Sequence, residues 1–249
     1  MRSRGNTSLV DLTKTNELGN STLKFCAMKQ QIKTFTALLT LLILMSFGVS
    51  IHDHKIKPID EVVIGEQVWM TKNLNVHKFR NGDLIPQAVT DEEWNKAKED
   101  GTAAWCYYEN DSANEEEYGK LYNWYAVNDP RGIAPEGWHV PSYSEWKELA
   151  GFLGGEGVAG NSLKSESGWE DDGNGTNKSG FTGIAAGSRT EDGFSDGFNG
   201  KGNGADFWSS TSYNDYDAWY SSLSSVESTF YMYRGDKENG LSIRCIKDD

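Results

Sequence analysis

Gly137-Trp138-His139-Val140-Pro141-Ser142-Tyr143-Ser144-Glu145-Trp146 decides how the rest of this 249-residue chain is read. The stretch begins as an extended segment, halts at Pro141 and then starts a helix. Ser142 is a good N-cap, and Glu145 three residues later completes a capping box. Trp146, Leu149, Ala150 and Leu153 fall at i, i+3, i+4 and i+7, which is one apolar helix face. Gly154-Gly155 ends the helix. A strand entry, a capped helix and two tryptophans within one short segment predict a packing centre.

Upstream, residues 62–70 read as a hairpin that turns at Gly65-Glu66. Thr90 with Glu93 forms a second capping box, opening a helix that runs to Asp100 and stops at Gly101. Residues 103–107 read as a strand carrying Cys106. Tyr118, Leu121, Trp124 and Tyr125 predict a helix over 117–127, broken by Asn128-Asp129-Pro130-Arg131-Gly132. Downstream, residues 154–204 read as a long Gly- and Asn-rich loop, a length that usually marks function. Short strands at 207–211, 218–223, 229–233 and 241–246 predict a late antiparallel β-meander. Two or three short helices followed by late strands give the α+β class.

The charge is −13 overall, but the first 50 residues carry +4, leaving −17 on residues 51–249. That portion repels nucleic acid and anionic membrane surfaces, so neither is expected as a partner. Within the basic segment, Lys29 and Lys33 precede an apolar run from Phe35 to Val49. Its length suits the h-region of a signal peptide better than a bilayer span. Gly48 and Ser50 place cleavage before Ile51, with an uncleaved anchor as the alternative. Met28 stands directly before this unit. The expected organisation is therefore residues 1–27 as a leader or misassigned start, 28–50 as a signal peptide and 51–249 as one exported domain. Its location would be periplasmic, cell-surface or secreted.

Export implies an oxidising compartment, and Cys106 and Cys245 are the only cysteines after the apolar run. They are expected to form a disulfide, with two buried thiols as the other reading. Leu241, Ile243 and Cys245 alternate onto one strand face, which points Cys245 inward. The histidines at 52, 54, 77 and 139 show no metal-ligand spacing. His139 has no assignable acid–base partner and reads as structural. Asp171, Asp172 and Asn174 supply the oxygen density that calcium favours, although the same residue types build turns. No other cofactor is expected. Tyr213, Asn214, Asp215 and Tyr216, with Trp219 nearby, are the candidate ligand-binding residues, because exposed loop aromatics can stack on a sugar or a peptide. Trp138, Pro141, Ser142, Glu145, Trp146 and Trp208 are assigned to packing and capping, and no residue is assigned to catalysis.

Six ordered segments carry a resemblance. Ile64-Gly65-Glu66-Gln67-Val68-Trp69-Met70-Thr71-Lys72-Asn73-Leu74 resembles the "IGxQxWMxxNL" opening of the Fibrobacter succinogenes major paralogous domain (FISUMP) family. Tyr118-Gly119-Lys120-Leu121-Tyr122-Asn123-Trp124-Tyr125-Ala126 is similar to its "YGxLYNWYA" segment. Residues 134–146 are similar to its "PEGWHVPxxxEW" core. Asn177-Lys178-Ser179-Gly180-Phe181, Phe207-Trp208-Ser209-Ser210-Thr211 and residues 242–248 continue the match, which covers about 56–248. More distantly, the resemblance implies the C-type lectin-like fold shared with formylglycine-generating enzymes. It implies an exported, non-catalytic binding or surface-interaction domain, with a glycan or surface protein as partner. The alternatives are an oxidase of the formylglycine-generating type and a purely structural surface component. Trp208-Ser209-Ser210 lacks the acid that calcium-dependent lectins carry on that strand, so their calcium site does not carry over.

Overall fold

The computed structural model describes residues 59–190 and 197–249. The expected leader and signal peptide, with Cys26, lie outside the described residues. The first elements follow the local signals closely. β1 (Glu61–Ile64) and β2 (Gln67–Met70) pair antiparallel in the register Val62↔Trp69. Gly65 takes φ 67° at their turn. α1 (Asp91–Asp100) is capped by Thr90, whose hydroxyl accepts the Glu93 N–H, and left-handed Gly101 closes it. Glu93 reaches back to accept the N–H of Val89 at 2.7 Å.

The helix expected over 117–127 is instead three pieces. α2 (Glu115–Tyr118) is followed by β4 (Leu121–Tyr122) and α3 (Trp124–Val127), and β4 pairs with β3 (Trp105–Cys106). Gly119 breaks the run at φ 75°, ψ −142°, and a Cβ there would stand 3.2 Å from the Leu74 carbonyl oxygen. Asn123 then starts α3 afresh. Its Oδ1 accepts the N–H of Ala126 at 3.1 Å and of Ala104 at 3.0 Å, while Nδ2 donates to Thr102 O at 2.8 Å. The helical spacing was thus a coincidence of separate pieces, which place Leu121 and Trp124 in different clusters.

β5 (Trp138–His139) leads through Pro141 to α4 (Tyr143–Phe152), whose Ser142/Glu145 capping box is fully formed. The stretch expected to be loop contains α5 (Ala159–Leu163), β6 (Ala186–Arg189) and β7 (Phe198–Lys201). Gly160 lets another backbone approach α5: a Cβ there would lie 2.3 Å from Thr229 O. The late strands are β8 (Gly204–Ser212), β9 (Asp217–Ser224), β10 (Tyr231–Asp236) and β11 (Ile246–Lys247). The first three form the meander. The expected strand at 241–246 is split: Leu241 and Ser242 make single bridges to Tyr122 and to Phe207 of β8, and only Ile246–Lys247 forms a strand, in the other sheet.

Beside the β3-β4 pair, two larger sheets form among the described residues, one ordered β1-β2-β11-β5 and the other β10-β9-β8-β6-β7. Ile246 pairs with Trp69 on one side and His139 on the other. Successive strand residues point to opposite faces, and this divides neighbours between two cores. Met70, Trp138, Trp208 and Cys245 enter a core with Tyr122, Trp124 and Ile243. Trp69, Trp146, Phe207 and Ile246 enter another with Leu149, Phe181 and Phe230. The stretch 137–146 therefore delivers one tryptophan to each. Trp146 stands 4.6 Å from the Trp69 ring and 5.7 Å from Phe230, ring centre to ring centre. Fully burying each such side chain stabilises the fold by roughly 1.5–3 kcal/mol. Among the described residues no helix is long and apolar enough to cross a membrane.

The expected Cys106–Cys245 disulfide is absent; both are free, buried thiols. The error is one of parity. Trp105, not Cys106, faces the core that holds Cys245, whereas Cys106 turns into a third cluster with Trp94, Ala104 and Tyr108. Burial pushes each thiol up to about 12, opposed by the charge of Arg189 at Cys106 and of Arg244 at Cys245.

Arg244 is itself wholly buried, its guanidinium 4.3 Å from the Phe181 ring centre. It donates to Met70 O at 3.1 Å, Asn73 Oδ1 at 2.8 Å, Thr182 O at 3.3 Å, and to Phe181 O. Burial pulls its pKa down to about 9.

Candidate functional site

The β8–β9 hairpin ends in a rigid turn. Asn214 Oδ1 accepts the N–H groups of Tyr216 at 2.7 Å and Asp217 at 2.6 Å, and its Nδ2 donates to Asp217 Oδ2 at 2.8 Å. This is the Asx geometry that suits asparagine to turns. Lys237 clamps the turn from outside, donating to the carbonyls of Asn214 at 2.6 Å and Asp215 at 3.1 Å while lying 4.6 Å over the Trp124 ring. The Asn214 side chain and the Asp215 carbonyl thus shape the loop.

The aromatic residues of the turn and β9 make a platform. Tyr213 meets Trp219 edge-on at 5.3 Å, and Tyr143, at the first position of α4, meets Trp219 at 4.6 Å. Arg234 pairs across from Trp219 on β10 and lies 4.7 Å over the Tyr213 ring. Tyr213 is 46% exposed and Tyr216 is 79% exposed. Alternation along β9 puts Trp219 on the same face as Leu223, which packs in the core under α4. The structure therefore unites Tyr213 and Trp219 and adds Tyr143 and Arg234, which the sequence reading missed. Only the β9–β10 register, with Arg234 opposite Trp219, could have pointed to Arg234.

The opposite face of the same strands carries Asp206, Tyr220 and Tyr233. Tyr220 and Tyr233 are cross-strand partners with ring centres 5.9 Å apart. Burial pushes the Asp206 carboxyl up to about 6, against a hydrogen bond from Ser222. Burial, then the Asp206 charge, pushes the Tyr220 hydroxyl up as well.

The three residues considered for calcium form a turn. Asp171 and Asp172 take left-handed backbone, φ 54° and 57°. Asn174 Oδ1 accepts the Trp169 N–H at 3.0 Å. That oxygen is committed to the protein, while both aspartates are exposed. Among the described residues no group of three or more His, Cys, Asp or Glu side chains is placed to hold a metal ion.

His139 has partners that its sequence neighbourhood did not reveal. Its Nε2 lies 2.7 Å from Glu145 Oε1 and its Nδ1 lies 2.7 Å from Asp248 Oδ1. Burial works against its charge, but the hydrogen bonds to the two carboxylates outweigh burial and raise its pKa. Flanked by two acceptors, the protonated ring can donate both N–H groups. Glu145 Oε2 meanwhile accepts the Ser142 N–H at 2.6 Å, so one carboxylate serves both the helix cap and the histidine. Trp138 and Trp146 are buried, the Pro141 carbonyl accepts the Ser210 N–H at 2.8 Å, and Trp208 Nε1 donates to Tyr122 O at 2.8 Å.

The fold is thus an α+β domain with a capped central helix, two tryptophan-centred cores and a late meander. Residues 62–247 match the family described as the Fibrobacter succinogenes major domain, and the chain belongs to that family. No curated protein and no solved structure matches it.

Proposed function

We propose that the chain is an exported, non-catalytic binding domain of C-type lectin-like architecture that holds its partner, a carbohydrate or a surface protein, on the platform of Tyr143, Tyr213 and Trp219. The observation that carries this is the platform itself. Trp219 contacts both Tyr213 and Tyr143 of α4, and the Arg234 guanidinium lies over Tyr213, beside a hairpin turn that Asn214 and Lys237 hold rigid. Rings fixed before binding lose little conformational entropy, and a sugar or peptide can stack on them. The acidic balance of the domain remains unfavourable to nucleic acid.

The oxidase alternative draws no support from the thiols, which are buried in different clusters with their pKa values pushed up to about 12. Glycan and peptide arrays, run with and without calcium, test the binding reading and any role of Asp171, Asp172 and Asn174 together. Any array hit should lose about tenfold in affinity on Trp219→Ala, the scale of a lost aromatic contact. A hit insensitive to both Trp219→Ala and Tyr213→Ala would refute the platform. Silence on both arrays would favour the purely structural surface component. N-terminal sequencing of protein recovered outside the cytoplasm tests export, with Ile51 as the expected first residue.

A further inference from the structure

Trp105 and Tyr107 are two positions apart, so their rings project to one side, where they meet edge-to-face at 5.1 Å and 75°. The segment from Leu84 to Gln87 runs beside them and is tied to the same strand. Trp105 Nε1 donates to Ile85 O at 2.9 Å, Trp105 N donates to Pro86 O at 3.0 Å, and Ala88 N donates to Trp105 O at 2.9 Å. His77 joins from the other direction, its carbonyl accepting the Ile85 N–H at 3.0 Å. Between these parts lies a cleft of about 400 Å³. Its wall is fixed by main-chain bonds, so the cavity is preformed, and its size falls in the ordinary range for small-ligand sites, roughly 300–1,000 Å³.

The polar end of the cleft is neutral. Lys120 is only 2% exposed, and its ammonium lies 4.7 Å from the Trp105 ring centre and 5.1 Å from that of Tyr107. It donates to Glu115 Oε1 at 2.9 Å and to Asn75 Oδ1. Lys120, then a hydrogen bond from the Tyr107 hydroxyl, holds the Glu115 carboxyl below its usual range. Charge therefore cancels inside the cleft, and the cation–π position on both rings is already occupied by the chain's own amine. A second cation finds no free ring face, and an anion finds no unpaired positive charge. What remains for a ligand is ring edge and the aliphatic surface of Leu84 and Pro86. Around these stand His77, Gln87 and Glu115, a mixed set of donors and acceptors.

We propose that this Trp105–Tyr107 cleft binds a single neutral sugar residue, a pyranose whose C–H face rests on the aliphatic surface of Leu84 and Pro86 and against the aromatic ring edges while its hydroxyls bond to His77, Gln87 and Glu115. Hydroxyls suit the rim because each both donates and accepts. The site shares no residue with the hairpin platform, so either can fail without the other.

The test uses purified protein and four named probes: glucose, galactose, mannose and N-acetylglucosamine. Saturation-transfer NMR on each should show the strongest transfer to ring C–H protons for at least one. Titration of that sugar should give an affinity that falls about fivefold in His77→Ala and in Gln87→Ala, the scale of one lost hydrogen bond. Both side chains are exposed, so these variants keep the fold. Tyr107→Ala should weaken binding about tenfold, and Trp219→Ala should leave it unchanged. The charged analogues glucuronate and glucosamine should bind more weakly than glucose. Failure of all four sugars to bind overturns the proposal. So does binding that Trp219→Ala abolishes and the rim variants leave intact, or a charged analogue that binds more tightly than its neutral parent.

Discussion

Nε2 of His139 and Oε1 of Glu145 lie 2.7 Å apart, and Glu145 at the same time caps the helix that the histidine precedes. Because Asp248 takes the other ring nitrogen, the last residues of the chain are tied to the start of α4 through one imidazole ring. Its folded pKa lies above the ordinary histidine value. The stabilisation is then complete below the unfolded value of about 6.5 and is lost as pH rises through the folded pKa. The side chain is 40% exposed, so screening keeps the effect under about 1 kcal/mol. Thermal melting of wild type should decline from pH 6.5 to 8.5, and His139→Gln should remove that decline. Parallel curves for the two proteins would contradict the clasp.

Asp206 supplies a second, lower window. Burial raises its folded pKa to about 6, above the unfolded value of about 3.9. The fold favours the neutral acid, so this contribution is full at the acidic end and is lost as pH rises from about 4 to about 6. Asp206→Asn should flatten the urea-denaturation midpoint across that interval and exceed wild type at pH 7. A variant that keeps the wild-type slope would show that Asp206 does not titrate there.

Arg244 holds four acceptors at the boundary of the two cores and, among the described residues, no carboxylate. Arg244→Met leaves Met70 O, Phe181 O, Thr182 O and Asn73 Oδ1 short of a donor. The expected cost is about 3–5 kcal/mol, the scale for removing one member of a buried charged network. Urea denaturation measures it, and a loss below 1 kcal/mol would mean that the cavity rehydrates.

The two thiols should behave independently. Native protein should leave Cys106 and Cys245 unreactive toward a thiol reagent, and reductant should not shift the melting temperature. Cys106→Ala and Cys245→Ala should destabilise additively, because they lie in separate clusters. A double variant no worse than either single one would instead indicate a bridge.

Local chemistry was readable where one residue's role is set by its immediate neighbours. The Ser142/Glu145 and Thr90/Glu93 boxes, the Gly65 turn and the Gly101 stop all stand where capping and turn rules place them. The reading failed where the answer lies far along the chain. Nothing near Tyr118 announces that the Leu74 carbonyl crowds Gly119, and nothing near His139 announces Asp248. Cys106 shows how narrow the margin is. The strand was recognised, but nothing in it set which face Cys106 takes, and the fold turns that thiol into a different cluster from Cys245. The ligand platform was half legible: Tyr213 and Trp219 share a hairpin, while Tyr143 and Arg234 arrive from elements that only the fold brings together.

β11 lies between β2 and β5, so the sheet that begins near residue 61 waits for residues 246–247 to fill its middle. The pairing of Trp69 with Ile246 closes a loop of 177 residues, and contacts of such separation form late. A growing chain therefore carries β2 with one side unpaired until residues 246–247 have been made, and closure of this sheet is timed by the far end of the domain rather than by its beginning.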